Sequence, residues 1–268
     1  MTEPTCFHRI DSSGVATITL NRPNVRNALD GPTVASLLES LRALEEPSSV
    51  HSIVLTSAGK DFCAGADLNW MRGSNDKMTM EDAQVGLKLA ELMWTLHAHP
   101  KPTIALVRGA AFGGGAGLVA CCDIALAAKD ARFCFSEVRL GLIPAVISPY
   151  VVRAIGERMS RRYFLTAERF DAEEAYRIGL IHEIVAADKL QADADELVCA
   201  LAAGGPCALT RTKELLDAVS SSPLDRNMTC KTAEWIAEVR HTTEAQEGMR
   251  AFLRKRKASW LQEQDADR

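Results

Sequence analysis

The chain has 268 residues, 47% of them hydrophobic and 25% charged, with a formal net charge of −4. That length carries one core of ordinary size, with or without a helical appendage, and the acidic balance provides no overall field for nucleic acid or an anionic membrane. No stretch reaches the roughly 18 uninterrupted apolar residues of a membrane span, and the opening MTEPTCFHRIDSS lacks the basic-then-apolar order of a signal peptide, so a cytoplasmic location is expected.

Val15–Leu20 (VATITL) alternates and is β-branched, which predicts a strand. NRPN follows as a turn. Pro32 opens the helical pattern PTVASLLESLRALEE, with Asp30 as its cap. Ser52–Thr56 is a second strand, ended by SAGKD. Leu68–Arg72 reads as a short helix, Ser74–Met80 as a mobile loop and Ala83–His97 as a helix. Thr103–Val107 is a third strand, followed at once by a cluster of glycines. Asp123–Ala127 and Arg132–Phe135 are the last strands predicted. Beyond about Pro144 the pattern is mostly helical, through Ala172–Ile178, Asp188–Ala203, Leu209–Ser220 and Thr229–Lys257. Strands alternating with helices predict an α/β fold with largely parallel strands. The domain organisation expected is an α/β core over residues 1–199 and a helical C-terminal region over 200–268.

Eight cysteines could suggest disulfides. Adjacent Cys121 and Cys122 suit no compact disulfide framework, however; no CxxC pair appears, and the six histidines do not cluster with cysteines. Buried free thiols and no metal site are expected. His97, His99 and His182 read as core or surface residues, and Ser148 has no partner pattern for a nucleophile.

The glycine cluster, FGGGAGLVACCDIA, admits two readings. Gly115-Ala-Gly117-Leu-Val-Ala120 fits the GxGxxA fingerprint of a dinucleotide site. A helix of about ten residues or more should then precede the next strand, yet β-like residues resume at Asp123-Ile124. No acidic residue stands where a ribose would need it. In the second reading, a strand ends at Val107, a glycine turn follows, and a short helix starts near Gly114. The first amides of a helix lack internal acceptors and carry partial positive charge. Glycine lets an acyl oxygen approach them without meeting a Cβ. KDFCAGADL repeats the arrangement one strand earlier, with the amide of Ala66 at a helix entrance. Two such amides, from neighbouring strands, can grip one oxygen.

GKDFCAGADLNWM together with GAAFGGGAGLVACCDIALA resembles the crotonase superfamily, the enoyl-CoA hydratases and isomerases. NRPNVRNAL near the start and AFLRKRK near the end extend the resemblance over nearly the whole chain. The resemblance implies a crotonase-like spiral of repeated β-β-α units with a helical C-terminal portion. It implies that the amides of Ala66 and Gly114 hold the thioester carbonyl of an acyl-CoA. The backbone around Ala64, Asp67 and Leu68 would meet the CoA adenine, and Arg26 would sit close to its phosphates. It implies a homotrimer or a dimer of trimers, with no cofactor beyond the CoA of the substrate.

Hydratases of this family usually place two glutamates around the reacting double bond. Gly117 stands where the first is expected. FSEVRLG supplies the second as Glu137, and its neighbours Phe133, Phe135, Val138 and Leu140 suggest that it enters an apolar pocket. Burial would raise its pKa toward the range of a general acid/base. One carboxyl serves an isomerase that shuttles a proton between two carbons, and it serves a hydratase if water and Cα lie on one face. The run from Ser136 to Asp171, with Ala145-Val-Ile-Ser148 in place of a glycine-rich segment, resembles hydratases of 3-methylglutaconyl-CoA and isohexenylglutaconyl-CoA. A non-catalytic acyl-CoA-binding relative is the third reading. Arg250 and Arg254–Lys257 form a basic stretch expected on the last helix. The resemblance implies that part of it, Lys255 included, nears the CoA phosphates of a neighbouring subunit. Nucleic-acid binding would need interleaved aromatics and net positive charge, which the chain lacks.

Overall fold

Continuous apolar strands build the centre of the fold. The computed structural model describes residues 4–46, 49–71 and 80–261; residues 74–79 of the expected mobile loop lie outside them. The strands are β1 (Cys6–Ile10), β2 (Val15–Leu20), β3 (Ser52–Ser57), β4 (Thr103–Val107), β5 (Ala110–Phe112), β6 (Ile124–Ala128), β7 (Arg132–Cys134), β8 (Phe170–Asp171) and β9 (Glu183–Val185). The main sheet has the order β1-β2-β3-β4-β6-β9, and a smaller sheet has the order β5-β7-β8. β1 and β2 are antiparallel, and every other pair in the main sheet is parallel. All five residues of β4 are buried, as suits a parallel strand covered on both faces.

The helices are α1 (Gly31–Ala43), α2 (Leu68–Met71), α3 (Met80–His97), α4 (Gly114–Cys121), α5 (Ser148–Thr166), α6 (Ala172–Arg177), α7 (Leu190–Ala202), α8 (Pro206–Ser220), α9 (Arg226–Arg240) and α10 (Thr243–Leu253). α1 begins where its sequence says it should. The Asp30 carboxylate accepts hydrogen bonds from the Thr33 N–H (2.9 Å) and hydroxyl (2.6 Å), satisfying an orphan donor of the first turn. Val34, Leu37, Leu38 and Leu41 then bury one helical face, the spacing of an amphipathic helix.

The period-2 alternation of β4 divides the core. Ala105 and Val107 face a large cluster with Leu37, Phe62, Met93 and Phe135. Ile104 and Leu106 face a smaller one closed by Leu190, Ala194 and Val198 of α7. β4, β5 and α4 form one unit, and β6, β7 and α5 form the next. Each gives one strand to each sheet, so the repeat is β-β-α and the chain winds between two sheets. The predicted α/β class and the helical C-terminal portion are both present.

Several expectations change. β1 has no clean alternation, because an edge strand buries only one end, and it was absent from the predicted elements. The helix expected over 229–257 is two helices. The chain breaks at His241, and the Thr242 side chain caps α10 by accepting from the Ala245 N–H (3.2 Å). The basic stretch therefore lies mostly past the last long helix: Arg250 is on α10, while residues 254–257 follow it. The expected division at 199/200 falls inside α7, whose Val198 packs on the sheet; helices clear of the sheet start with α8. All eight cysteines are free, but Cys199, Cys207 and Cys230 are exposed rather than buried. α8 is tied back by Lys213, whose ammonium meets the Asp123 carboxylate at 2.6 Å.

Candidate active site

Three segments run side by side in one direction. Residues 62–66 join β5 through the Cys63 N–H, which donates to the Ala110 carbonyl, and the Phe112 N–H, which donates to the Cys63 carbonyl (both 2.9 Å). β5 pairs in turn with β7, Phe112 opposite Cys134. Each segment turns at its C-terminal end: the first into Ala66 and α2, the second into Gly113 and α4, the third into Ser136 and Glu137. β3 and β4 are neighbours in the main sheet, but it is this second set of parallel pairings that brings the three turns together.

Ala66 forms a bridge with Leu29 that uses its neighbours' backbone groups. Leu29 N–H donates to the Gly65 carbonyl, and Asp67 N–H donates to the Leu29 carbonyl (2.8 Å each). The N–H of Ala66 is left over. The N–H of Gly114 opens α4 and has no intrahelical acceptor. Among the described residues neither amide donates a hydrogen bond. They are close: a Cβ on Gly114 would stand 4.0 Å from the Ala66 nitrogen, and one on Gly65 would stand 3.6 Å from the Gly114 nitrogen. Gly65 (φ +96°) and Gly113 (φ +49°) hold turns that side chains disfavour. Two unpaired donors this close can hold one oxygen between them.

Glu137 lies against the same turn. Its Oε1 is 3.1 Å from where a Cβ on Gly113 would be. Its Oε2 is buried and has no hydrogen-bond partner among the described residues. Burial raises its pKa above the ordinary glutamate value, against a smaller opposing effect from its own backbone N–H. The short 3-10 turn Glu137–Leu140 is locked by Leu142 N–H donating to the Glu137 carbonyl (3.0 Å). Phe133 and Phe135 anchor it from behind. The Phe135 ring meets Phe164 edge-on at 5.0 Å, and Phe133 stacks on Phe170 at 5.7 Å.

Ala66, Gly114 and Glu137 line one cavity of about 740 Å³, together with Ala64, Leu68, Trp70, Met71, Leu89, Leu142 and Ile147. That is the scale of a small-molecule site, apolar with a few polar groups converging. Of the residues the resemblance assigned to CoA, Ala64 and Leu68 line this cavity. Asp67 stands between them, and its carboxylate accepts from the Arg22 guanidinium (3.2 Å) and the Asn69 N–H (3.1 Å). Arg26 lines a separate cavity of about 730 Å³ with Phe112, Arg162 and Arg169. Its Nε donates to Asp61 at 2.7 Å, and this hydrogen bond holds the Asp61 pKa below the ordinary carboxylate value. Its backbone carbonyl accepts from the Ala64 N–H (2.9 Å). Lys255 sits exposed after α10 and lines neither cavity.

Gly117 is one turn along α4 from Gly113. A Cβ there would lie 2.2 Å from the Ile147 Cγ2 and 2.9 Å from its Cβ. The space above the position that lacks a carboxylate is thus filled by Ile147. Sequence reasoning reached Ile147 only as part of a segment. Asn27, inside the NRPNVRNAL motif, likewise has no role that the sequence alone assigns. Its side chain accepts from the Arg22 N–H (2.8 Å) and donates to the carbonyls of Ala58 (2.9 Å) and Asp61 (2.8 Å), tying NRPNVRNAL to the loop that delivers Ala66. His99 is a buried structural residue. Its ring lies 3.1 Å from the Leu41 carbonyl and accepts from the Lys101 N–H (3.1 Å).

The sequence profile of the enoyl-CoA hydratase/isomerase family matches residues 11–264. The chain is 32% identical over 249 residues to a crotonyl-CoA hydratase of Syntrophomonas wolfei, covering 92% of this chain and 94% of that protein. It is 31% identical over 243 residues to the 2,3-dehydroadipyl-CoA hydratase of Escherichia coli, covering 90% and 93%. The crystal structure of an enoyl-CoA hydratase from Shewanella pealeana superposes with a TM-score of 0.92 at 43% identity, over 96% of each chain. With the family profile spanning almost the whole chain and relatives at this identity along its length, the protein belongs to the enoyl-CoA hydratase/isomerase family.

Proposed function

We propose that this chain adds water across the α,β double bond of an acyl-CoA whose acyl group is β-branched and carboxylated, as in 3-methylglutaconyl-CoA. The observation that carries the reading is a lone, buried, unpartnered carboxyl oxygen on Glu137 beside two unpaired amides in one apolar cavity. The N–H groups of Ala66 and Gly114 hold the thioester oxygen. Each such donor contributes roughly a hundred- to a thousand-fold in rate, about 2.7–4 kcal/mol. Glu137 takes a proton from water as its oxygen bonds to Cβ. The π pair moves toward the thioester and leaves an enolate on the two amides. Cα then takes the proton back from Glu137 on the same face, so one carboxyl serves both steps. The chemistry needs nothing beyond these groups and the CoA of the substrate. Ile147 above Gly117 supports the one-carboxyl reading, and the 2,3-dehydroadipyl-CoA named for the Escherichia coli relative is itself a carboxylated enoyl thioester.

The reading includes Ala64, Asp67 and Leu68 at the adenine, Arg26 near the CoA phosphates, and a cytoplasmic homotrimer or dimer of trimers built on residues 200–268. The exposure of Leu224 (95%), Phe252 (84%) and Leu253 (79%) supports that assembly. In it, Lys255 approaches the CoA phosphates of a neighbouring subunit.

A panel of straight, branched and carboxylated enoyl-CoA thioesters, followed by loss of the conjugated thioester absorbance, tests the reaction. Glu137→Gln should abolish turnover while acyl-CoA still binds; a variant that keeps most of its activity would remove the assignment. A single carboxyl also suits a Δ3–Δ2 enoyl-CoA isomerase. Isotopically labelled water separates the two, because only hydration puts its oxygen into product.

A further inference from the structure

The face of α4 that looks toward the site carries no side chain at Gly113, Gly114 or Gly117, and two residues from elsewhere occupy the space above it. Glu137 lies over Gly113, with Oε1 3.1 Å from a Cβ built there. Ile147 lies over Gly117, with Cγ2 2.2 Å from a Cβ built there. These glycines are four residues apart, a rise of about 6 Å along the helix, and the Gly117 N–H donates to the Gly113 carbonyl (3.0 Å). The acid and the isoleucine are therefore neighbours along one helix face. Both line the cavity that Ala66 and Gly114 open onto, and Ile147 is itself 97% buried, with 3% exposed. Met93 closes the same spot, its Cε 3.5 Å from the Gly117 point, and belongs with Ile147 to the buried core cluster.

We infer that Ile147 is a specificity-determining residue: its side chain is the apolar wall that receives a methyl branch on the substrate's Cβ. This rests on the acyl-CoA reading above. With the thioester oxygen on the two amides, the acyl chain leaves the carbonyl past Glu137. Glu137 and Ile147 stand side by side on that cavity wall, so a branch on the carbons beyond the carbonyl meets Ile147. A carboxylate there would hold water and disfavour an apolar branch. A packed isoleucine over Gly117 offers dispersion contacts to a methyl and no hydrogen bond to a water. The glycine and the isoleucine act as one unit, since neither a larger residue at 117 nor a small one at 147 would leave that wall in place.

Saturated esters test this without any turnover. Binding of 3-methylbutanoyl-CoA and of butanoyl-CoA is measured by calorimetry on wild type, Ile147→Ala and Ile147→Val. Wild type should favour the branched ester. Ile147→Ala should lower the branched-to-straight affinity ratio roughly tenfold, the low end of what one methyl-sized change in an apolar pocket does. Ile147→Val should lower it by about twofold, and it keeps the test available if the alanine variant is too unstable to purify. An unchanged ratio in the folded variants overturns the inference and leaves the acyl-CoA reading standing. Failure of wild type to bind either ester overturns that reading, and the inference with it.

Discussion

Gly115→Ala isolates how the two amides are held at their working distance. In the interior of a helix this exchange ordinarily stabilises by up to about 1 kcal/mol. At Gly115 the new Cβ would stand 2.3 Å from the Cys63 carbonyl oxygen and 2.8 Å from the Cys63 Cβ. Both belong to the strip that carries Ala66, and the oxygen is backbone that already accepts from the Phe112 N–H. Ordinary contact requires α4 and this strip to separate by about 1 Å. Overpacking of this kind costs roughly 1–3 kcal/mol, which outweighs the propensity gain. The net expectation is a loss of about 1–2 kcal/mol, read as a lower urea midpoint at unchanged slope. Separating the amides by the same distance should cost about a hundred-fold in kcat/KM on a turned-over enoyl-CoA. Gly86→Ala, on α3, is the control for the stability readout alone, because a Cβ there meets nothing within 4 Å among the described residues, although the position lines the same cavity as Glu137. It should stabilise by roughly 0.5–1 kcal/mol. If Gly115→Ala unfolds at or above the wild-type urea concentration with kcat/KM intact, the close approach is not what sets the site.

The raised pKa of Glu137 should move the acid limb of kcat/KM above the ordinary glutamate range, because the ionised form is the one that takes the proton from water; activity held flat down to about pH 4 would contradict this. Burial pushes His99 down to about 4 from an ordinary 6.5, so the folded state refuses a proton that the unfolded chain accepts. The resulting stability is full above pH 6.5, is lost as the pH falls from 6.5 toward 4, and amounts to about 3 kcal/mol. Urea titrations at pH 7 and pH 4.5 should show that slope, and a His99→Gln variant should lack this contribution. Asn27→Ala removes three hydrogen bonds from a side chain that is 1% exposed, and it places alanine at a positive φ of 55°. A loss of about 3 kcal/mol is expected, and a urea-derived loss below 1 kcal/mol would show that the turn holds itself.

What the sequence made legible was what depends on short stretches of chain. VATITL, SIVLT and TIALV are strands because their apolar periods need no knowledge of neighbours. Asp30 caps α1 and Pro32 lies in its first turn as local chemistry requires. The Gly114 amide was legible for the same reason, since a glycine turn feeding a helix leaves an orphan N–H; the Ala66 N–H precedes α2 and is left over because Leu29 pairs with the backbone groups of Gly65 and Asp67. What was not legible is set by pairing, capping and packing that the apolar period of a segment does not carry. β1 exists because β2 offers it an edge, and its own residues show no alternation. The break at Thr242 depends on one capping hydroxyl inside a pattern whose helical period runs straight through it. The direction of the Arg26 side chain is not readable from NRPNVRNAL either, because its partner Asp61 lies thirty-five residues on.

Gly117 shows why a missing residue cannot be interpreted from its own position. Read alone, a glycine where a carboxylate is expected suggests a damaged site or extra room for water. Beside Ile147 it means neither, because the volume above it is already filled. The two residues lie thirty positions apart, and each is unremarked in its own segment: one more glycine in a glycine-rich run, one more aliphatic in AVIS. Their steric fit exists only after α4 and the start of α5 have packed. A carboxylate could be restored at 117 only if 147 were reduced at the same time. Gly117→Glu alone should therefore be strongly destabilised, by the overpacking and by a charge set against apolar atoms. The same change combined with Ile147→Gly should recover much of the urea midpoint. If the single and double variants unfold together, the two positions are independent, and the one-carboxyl site is not a packing consequence of this pair.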